Sequence, residues 1–264
     1  FVIEDADAMA EESQNALLKT LEEPAPFAHL VLVSSEPEAL LETVRSRCVP
    51  VRFARLTPEA VEARIADVDA PGAERRAAAR LSGGDSERAR FLLGEEGRSL
   101  RAAAENLCVT AGSGELVEAP WSALIEAAEE AGERAGAEAR ARAAELEEES
   151  AERTGQAARK RAREAEEAAR RKTRSARNQT LDFGLGLVAA WLRDLAAVAE
   201  GARDAVLATD RLAELERAAA DVDPRRARRG AELAMETRRR LTVNVNETLA
   251  LEALSYRLEY LLSG

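Results

Sequence analysis

A chain of 264 residues is long enough for two or three domains, and its formal net charge of −11 argues against a protein that coats nucleic acid through a general positive charge. Only 3% of the residues are aromatic, while the abundance of alanine, glutamate and arginine favours helices. The sequence has no run of 18 apolar residues, so no membrane span is predicted. Its two cysteines, Cys48 and Cys108, lie far apart, which suits a reducing cytosol better than a disulfide framework.

The first residues, "FVIEDAD", do not resemble a signal peptide, because they lack a basic segment followed by an apolar one. There is no initiator Met, and Phe1–Ile3 has the character of a buried strand that has already begun. We therefore expect the chain to be the C-terminal part of a longer protein.

Residues 1–54 alternate short apolar runs with helical patterns. The runs predict strands at Phe1–Ile3, Leu30–Val33 and Val49–Phe53, and the segments between them predict helices at Ala10–Glu22 and Glu38–Arg45. Apolar strands separated by helices are typical of a parallel sheet that is buried on both faces. Three strands do not complete such a sheet, which again suggests that strands precede this segment.

Residues 55–110 are predicted to form a small bundle of short helices. Thr57 is a good N-cap because the proline after it suits the first helical position. A second helix is expected over Ala73–Ser82, and either Asp85 or Ser86 would cap a third that ends at a glycine. Ala111–Gly114, with sequence "AGSG", has the composition of a linker.

Residues 111–264 are predicted to be almost entirely helical, with long charged helices over 120–177 that Gly155 would interrupt. Beyond them, leucine and valine recur at helical spacing, which fits a helical bundle. Its predicted core positions are Leu181, Leu185, Val188, Leu192, Leu195, Leu251, Leu254, Leu258 and Leu261.

A run rich in basic residues extends from Arg159 to Arg177. It could meet DNA phosphates or an acidic partner, but its interleaved glutamates favour a solvated helical face. No aromatic residue is interleaved to stack on bases.

Two carboxylates, Glu4 and Asp5, come directly after the first strand, at the edge where open α/β sheets bind ligands. They could hold Mg²⁺ near a phosphate or polarise a water molecule, and the alternative is a loop of solvated acids. Ser35 follows the second strand and is expected at the same edge.

The triplet Ser46-Arg47-Cys48 ends the segment "TVRSRC". An arginine at the end of a surface helix is usually solvated, but a guanidinium also forks onto phosphate oxygens and can be offered to a neighbouring subunit. Cys48 is expected to be a small buried residue, since no histidine lies near it in sequence. The only histidine, His29, precedes a strand.

Three segments carry a resemblance to a known family: "FVIEDADAMAEESQNALLKTLEEP", "LVLVSSEPEALLETVRSRC" and "VPVRF". Their order, their spacing and the Ser-Arg-Cys triplet are similar to the AAA+ clamp loaders of DNA replication, and most of all to the delta-prime type. "LSGGDSERARFLL" is similar to the lid of that family, and "WLRDLAAVAEG" and "LTVNVNETLALEAL" are similar to its collar helices.

The resemblance implies roles for individual residues. Glu4 and Asp5 stand at the Walker B positions, in the reverse of the family's Asp-Glu order, which disfavours hydrolysis by this chain. Ser35 stands near the sensor-1 position. Glu87 occupies the place of the sensor-2 arginine, with Arg88 one position later. Arg47 matches the arginine that the family offers in trans, with Ser46 and Cys48 beside it.

The resemblance also implies the architecture: mainly α with a partial α/β part. It consists of the end of an AAA+ P-loop core over 1–54, a helical lid over 55–110 and a helical collar over 111–264. The expected partners are gamma/tau and delta subunits, with the sliding clamp and primed DNA reached through the complex. ATP and Mg²⁺ would be bound at a neighbour's site. The alternatives are an ATP-hydrolysing gamma/tau-type subunit and a non-enzymatic helical scaffold that retains an AAA+ remnant.

Overall fold

The computed structural model describes residues 1–114, 116, 119–149, 156–241 and 245–263, without the side chains of 147–149 and 156–159. The predicted break at Gly155 and the side chain of Arg159 lie outside this description. The chain is mainly helical with a small parallel sheet, as predicted, and its contacts divide it into two units, Phe1–Ala54 and Arg55–Gly264. Among the described helices, none is both long and apolar enough to span a membrane.

The first unit is a short parallel sheet with helices after each strand. Strands β1 (Val2–Ile3) and β2 (Val31–Leu32) pair with Val2 opposite Val31 and Ile3 opposite Leu32. Helix α1 (Glu11–Glu22) lies between the strands, as predicted. After β2 the predicted single helix is split into a 3-10 turn and helix α2 (Glu42–Arg45).

Two predictions for the first unit are wrong. Val49–Phe53 forms no strand, and its apolar side chains are exposed, with Phe53 at 92%. The two strands that do form are not buried on both faces, because Val2 and Val31 remain more than half exposed. The buried apolar residues of this unit are instead Ala6, Leu40 and Val44, which lie in the segments around α1 and α2.

The second unit begins with three short helices: α3 (Pro58–Arg64), α4 (Gly72–Leu81) and α5 (Ser86–Leu93). The predicted start of α3 and the predicted bounds of α5 are confirmed, and α4 begins and ends one residue earlier than predicted. The Thr57 hydroxyl accepts from the Ala60 amide at 3.3 Å and caps α3. Asp85 caps α5 by accepting from two backbone amides.

The predicted linker at 111–114 is wrong, because α6 (Glu95–Ser113) continues through it. Leu107, Cys108 and Ala111 are buried on one face of α6, and packing therefore outweighs the glycine and serine composition of this stretch. Gly114, at φ 74°, ends the helix in the left-handed conformation.

The charged region forms an antiparallel pair of long helices, α7 (Ser122–Glu149) and α8 (Gln156–Ala199). They approach closely because glycines on α7 face Thr173 of α8. A Cβ atom added at Gly132 would lie 2.9 Å from the Thr173 carbonyl oxygen. Farther along the pair, Arg140 of α7 contacts Glu166 of α8 at 3.0 Å.

The C-terminal half of α8 is the central helix of the second unit's core. It packs against α6, α9 (Leu212–Ala219) and α10 (Pro224–Leu241), and α11 (Glu247–Leu262) packs on α10 and α6. The predicted core positions on α8 are all buried. On α11 the stripe is confirmed except that Leu262 rather than Leu261 is the last buried leucine.

Candidate functional site

The Ser-Arg-Cys triplet lies on a turn directly after α2. The Arg47 amide donates to the Val44 carbonyl at 3.1 Å, and the Cys48 amide donates to the Arg45 carbonyl at 3.1 Å. Val44 is fully buried, so it anchors this short helix while Ser46 stays exposed. The turn is therefore held in place by the buried Val44 side chain, while Ser46 on its other side is accessible to solvent.

Gln14 of α1 holds the start of α2 in place. Its Oε1 accepts from the Leu41 amide at 2.8 Å, and its Nε2 donates to the Met9 carbonyl at 3.0 Å. The side chain is buried, and a buried amide with both ends bonded fixes the segments that it joins. The segment after β1, helix α1 and the Ser-Arg-Cys turn are therefore linked through one side chain.

Arg47 is held by contacts within the first unit. Its Nε donates to Glu22 Oε1 at 2.9 Å, and its Nη1 donates to the Thr43 carbonyl at 2.9 Å. The side chain keeps 35% of its surface exposed. The guanidinium therefore stands at the surface with a carboxylate partner, Glu22, from the last turn of α1. Cys48 is half-buried and has a free thiol.

The two predicted Walker B carboxylates, Glu4 and Asp5, are exposed at the end of β1. Asp5 has φ 49° and ψ 45°, a left-handed conformation that turns the chain sharply into the 3-10 turn Ala6–Ala8. The ladder continues past this turn, since the Ala6 amide donates to the Val33 carbonyl at 2.9 Å.

The carboxylate that meets the end of β2 is Asp7, which the sequence analysis did not single out. Its Oδ1 accepts from the Ser35 amide at 3.2 Å. A hydrogen bond from the Ser34 side chain, followed by backbone amides, lowers the pKa of Asp7. Ser35 thus contacts Asp7 through its backbone. The sequence pattern did not point to Asp7, because the left-handed turn at Asp5 determines which acid faces β2.

The described residues do not form a complete magnesium site. No group of three or more histidine, cysteine, aspartate or glutamate side chains comes together in the part of the chain that the structure describes. Glu4 and Asp5 offer two adjacent carboxylates, and His29 is exposed. These residues fit a Mg²⁺–nucleotide site only as a fragment.

Arg88, from the predicted lid, contacts residues of the second unit. Its guanidinium lies 5.5 Å from the ring centroid of Phe183 on α8, and its Nε is 3.6 Å from Asp85 Oδ2. It lines an open cleft of about 850 Å³ together with Arg55, Arg80 and Arg193. Glu87, at the sensor-2 position, is exposed.

Comparison with known proteins gives a partial match. The profile of the family described as "DNA polymerase III, delta subunit" matches residues 1–57. The DNA polymerase III subunit delta' of Bacillus subtilis is 41% identical over 69 residues, 26% of this chain and 21% of that protein. The subunit delta' of Pseudomonas aeruginosa is 39% identical over 105 residues, 38% of this chain and 31% of that protein. The tau subunit of B. subtilis is 35% identical over 65 residues, 25% of this chain and 12% of that protein.

The matched segment contains β1, α1, β2 and the whole Ser-Arg-Cys turn. Over this segment the chain is similar to the DNA polymerase III subunit delta' of both bacteria. The matches span less than a third of the length of each of these delta' relatives.

Proposed function

We propose that this chain is a delta'-type subunit of a bacterial clamp loader and that it offers Arg47 to ATP bound by a neighbouring gamma/tau subunit. The observation that best supports this proposal is the Ser-Arg-Cys turn. This turn lies inside the matched segment, and it leaves Arg47 at the surface. The buried side chains of Gln14 and Val44 hold it in place.

A guanidinium in this position has one chemical use toward a neighbour's nucleotide. It is always charged, and its planar fork can donate two hydrogen bonds to phosphoryl oxygens. Charge that develops on the transferred phosphoryl group would be stabilised in this way. Arginines supplied in trans contribute about 10³–10⁵ in rate to phosphoryl transfer.

In this proposal the chain hydrolyses little or no ATP of its own. The order of Glu4 and Asp5 is reversed relative to the family pattern, and both side chains are exposed. Arg88 is already engaged by Asp85 and by the ring of Phe183. These observations favour a supporting subunit over an ATP-hydrolysing one.

The partners proposed for the chain are the gamma/tau and delta subunits. Through that complex it would act on the sliding clamp and on primed DNA, in a reaction driven by ATP at a gamma/tau site.

The test uses the full-length protein reconstituted with its gamma/tau and delta partners. Clamp- and DNA-stimulated ATP hydrolysis is compared for the wild type, for Arg47→Ala and for Arg52→Ala. Arg52 is a suitable control because it is an exposed arginine of the same unit outside the triplet. Size-exclusion chromatography first establishes that each variant assembles.

The proposal expects Arg47→Ala to lower the stimulated rate by about 10³-fold or more in the intact complex, with Arg52→Ala near wild type. An unchanged rate for Arg47→Ala would overturn the trans-acting role and leave a scaffold. Hydrolysis by the chain without gamma/tau would instead support an ATP-hydrolysing subunit.

A further inference from the structure

Several arginines of α8 lie on the side of the helix opposite to α7. At 3.6 residues per turn, Ala165, Ala169 and Thr173 fall on one side and the arginines at 163, 171 and 174 fall on the opposite side. Ala169 is fully buried and Thr173 faces the glycines of α7, so this side is the seam of the helix pair. The three arginines are exposed and point away from the seam.

The glutamates of this stretch are mostly engaged elsewhere. Glu166 accepts from Arg140 across the seam at 3.0 Å and from Arg170 at 3.2 Å, while Glu164 lies 3.8 Å from Lys160. In contrast, Arg163, Arg171 and Arg174 have no ion pair or hydrogen bond from their side chains within the described parts of the chain. The acid that remains on their side is Glu167, which is exposed.

The composition of this face indicates what could cover it. From Gln156 to Thr180, α8 has no apolar side chain larger than alanine. Protein interfaces are centred on buried aromatic or large apolar side chains, so this face is a poor docking site for a folded protein. Phosphate groups need only cations that can approach them, and arginine provides a fork for their oxygens.

A duplex is favoured over a single strand. Single-strand sites stack bases on aromatic side chains, and the outer face of α8 has none. The arginines are set on one continuous helix and extend over roughly 16 Å from residue 163 to residue 174 at 1.5 Å per residue. Such a row can follow a duplex backbone without reading its bases.

We infer that the outer face of α8 is a binding site for the phosphate backbone of duplex DNA, through Arg163, Arg171 and Arg174. The site lies in the second unit and does not depend on Arg47 or on ATP. It would give the chain its own contact with DNA, despite the overall charge of −11.

The inference is tested by fluorescence anisotropy with the full-length protein and a labelled duplex of about 20 base pairs of arbitrary sequence, at several salt concentrations. The variant carries Arg163→Ala, Arg171→Ala and Arg174→Ala. These changes keep helix propensity high and leave the seam intact. The matched control carries Arg64→Ala, Arg225→Ala and Arg226→Ala, three exposed arginines on α3 and α10 with the same change in charge.

Each lost phosphate contact is expected to lower the slope of log K against log salt by about 0.9. The triple variant should therefore lose about 10-fold or more in affinity near 50 mM salt, with a slope reduced by about 2–3. Glu167→Gln should bind more tightly than the wild type, because it removes the remaining carboxylate on this face. The control variant should keep nearly the wild-type slope.

Three results would overturn the inference: no measurable binding by the wild type, equal losses in both triple variants, or competition by poly-glutamate at the same charge concentration as by duplex DNA. The last result would identify the face as a site for acidic proteins. None of these measurements involves ATP hydrolysis, so their failure leaves the role of Arg47 to be judged by its own test.

Discussion

Arg47 and Glu22 are 25 residues apart in the sequence, yet their side chains meet at the surface of the first unit. A surface ion pair of this kind is worth about 0–1 kcal/mol, because solvent screens it and two long side chains must be ordered. Such a contact can hold the arginine in one orientation and still give it up to a phosphate. Glu22 therefore competes weakly with the nucleotide in the proposed mechanism.

Replacing Glu22 by glutamine tests this competition. The variant keeps a hydrogen-bond acceptor but removes its charge, so Arg47 should be released more easily. Stimulated ATP hydrolysis by the reconstituted complex is expected to stay level or to rise by up to about fivefold, the equivalent of about 1 kcal/mol. Glu23→Gln, which alters the neighbouring exposed acid, is the control. A rate that falls in Glu22→Gln alone would mean that Glu22 positions Arg47 rather than competing for it.

Gln14 offers a second prediction at the level of single residues. Gln14→Ala leaves the Leu41 amide and the Met9 carbonyl without their partner, and a buried unpaired group costs about 1–3 kcal/mol. Amide hydrogen exchange should then accelerate at Leu41 and through the following turn, while the helices of the second unit keep their protection. Gln14→Glu should protect the Leu41 amide partly from hydrogen exchange, since a carboxylate still accepts a hydrogen bond from that amide. Unchanged exchange at Leu41 in Gln14→Ala would contradict this role.

The residue types of the site could be found from the sequence, but their partners could not. The Ser-Arg-Cys triplet and the acids after β1 can be recognised directly in the amino-acid sequence. The contact of Arg47 with Glu22 depends on where α1 ends relative to α2 in space, and the choice of Asp7 over Glu4 depends on a left-handed residue at Asp5. Neither is encoded in spacing alone.

At the scale of elements, the long helix pair is controlled by small residues at its seam. Gly132→Ala would place a Cβ atom 2.9 Å from the Thr173 carbonyl oxygen, a backbone atom that cannot rotate away. The pair must separate locally, so we expect a loss of about 1–3 kcal/mol in stability despite alanine's better helix propensity.

The control for Gly132 is Gly186, which lies inside α8 with no atom within 4 Å of an added Cβ. Gly186→Ala should therefore stabilise the protein by about 0.5–1 kcal/mol. Chemical denaturation of both variants gives the comparison. The seam model is contradicted if both substitutions change stability in the same direction.

Asp194 fixes the loop after α8, and it is fully buried. Its carboxylate accepts from the Leu207 and Ala208 amides at 2.8–3.0 Å. Burial raises the pKa of Asp194, and the amide hydrogen bonds only partly oppose this shift. In the window between the ordinary aspartate pKa and the raised one, the native state binds more protons than the unfolded state. This residue's contribution to stability is therefore lost as the pH rises through its folded pKa.

The matched variant for this pH dependence is Asp194→Asn. The difference in free energy of unfolding, wild type minus variant, should decrease as the pH rises through that window, as measured by urea denaturation. A difference that grows with pH would mean that the three amide hydrogen bonds outweigh burial.

Elements with strong local signals were predicted well, whereas elements that depend on distant packing were not. The capped starts of α3 and α5 and the leucine stripe of α8 follow from local chemistry and helical spacing. Val49–Phe53 has strand composition but gains no strand partner, and "AGSG" remains helical because α6 buries one face there.

At the scale of the whole molecule, the two units differ sharply in the core that each can bury. The buried hydrophobic residues of the first unit are few and small, and its sheet has two short strands within the described chain. The second unit buries a continuous cluster that includes Leu100, Leu124, Leu192 and Leu258. Small two-stranded sheets are marginal in water without further packing, whereas helices stabilised by a common core unfold cooperatively.

Residues 55–264 expressed alone are therefore expected to keep a single cooperative thermal transition by circular dichroism. Because a common core holds its helices, this transition should stay close to the one that the 264-residue chain shows for its helical signal. The control is residues 1–54 alone, which should show no cooperative transition, since Ala6, Leu40 and Val44 provide too little buried apolar surface to offset chain entropy. A second unit that melts without cooperativity once residues 1–54 are removed would contradict this view, and it would assign part of the stability of the helical core to the segment that carries Arg47.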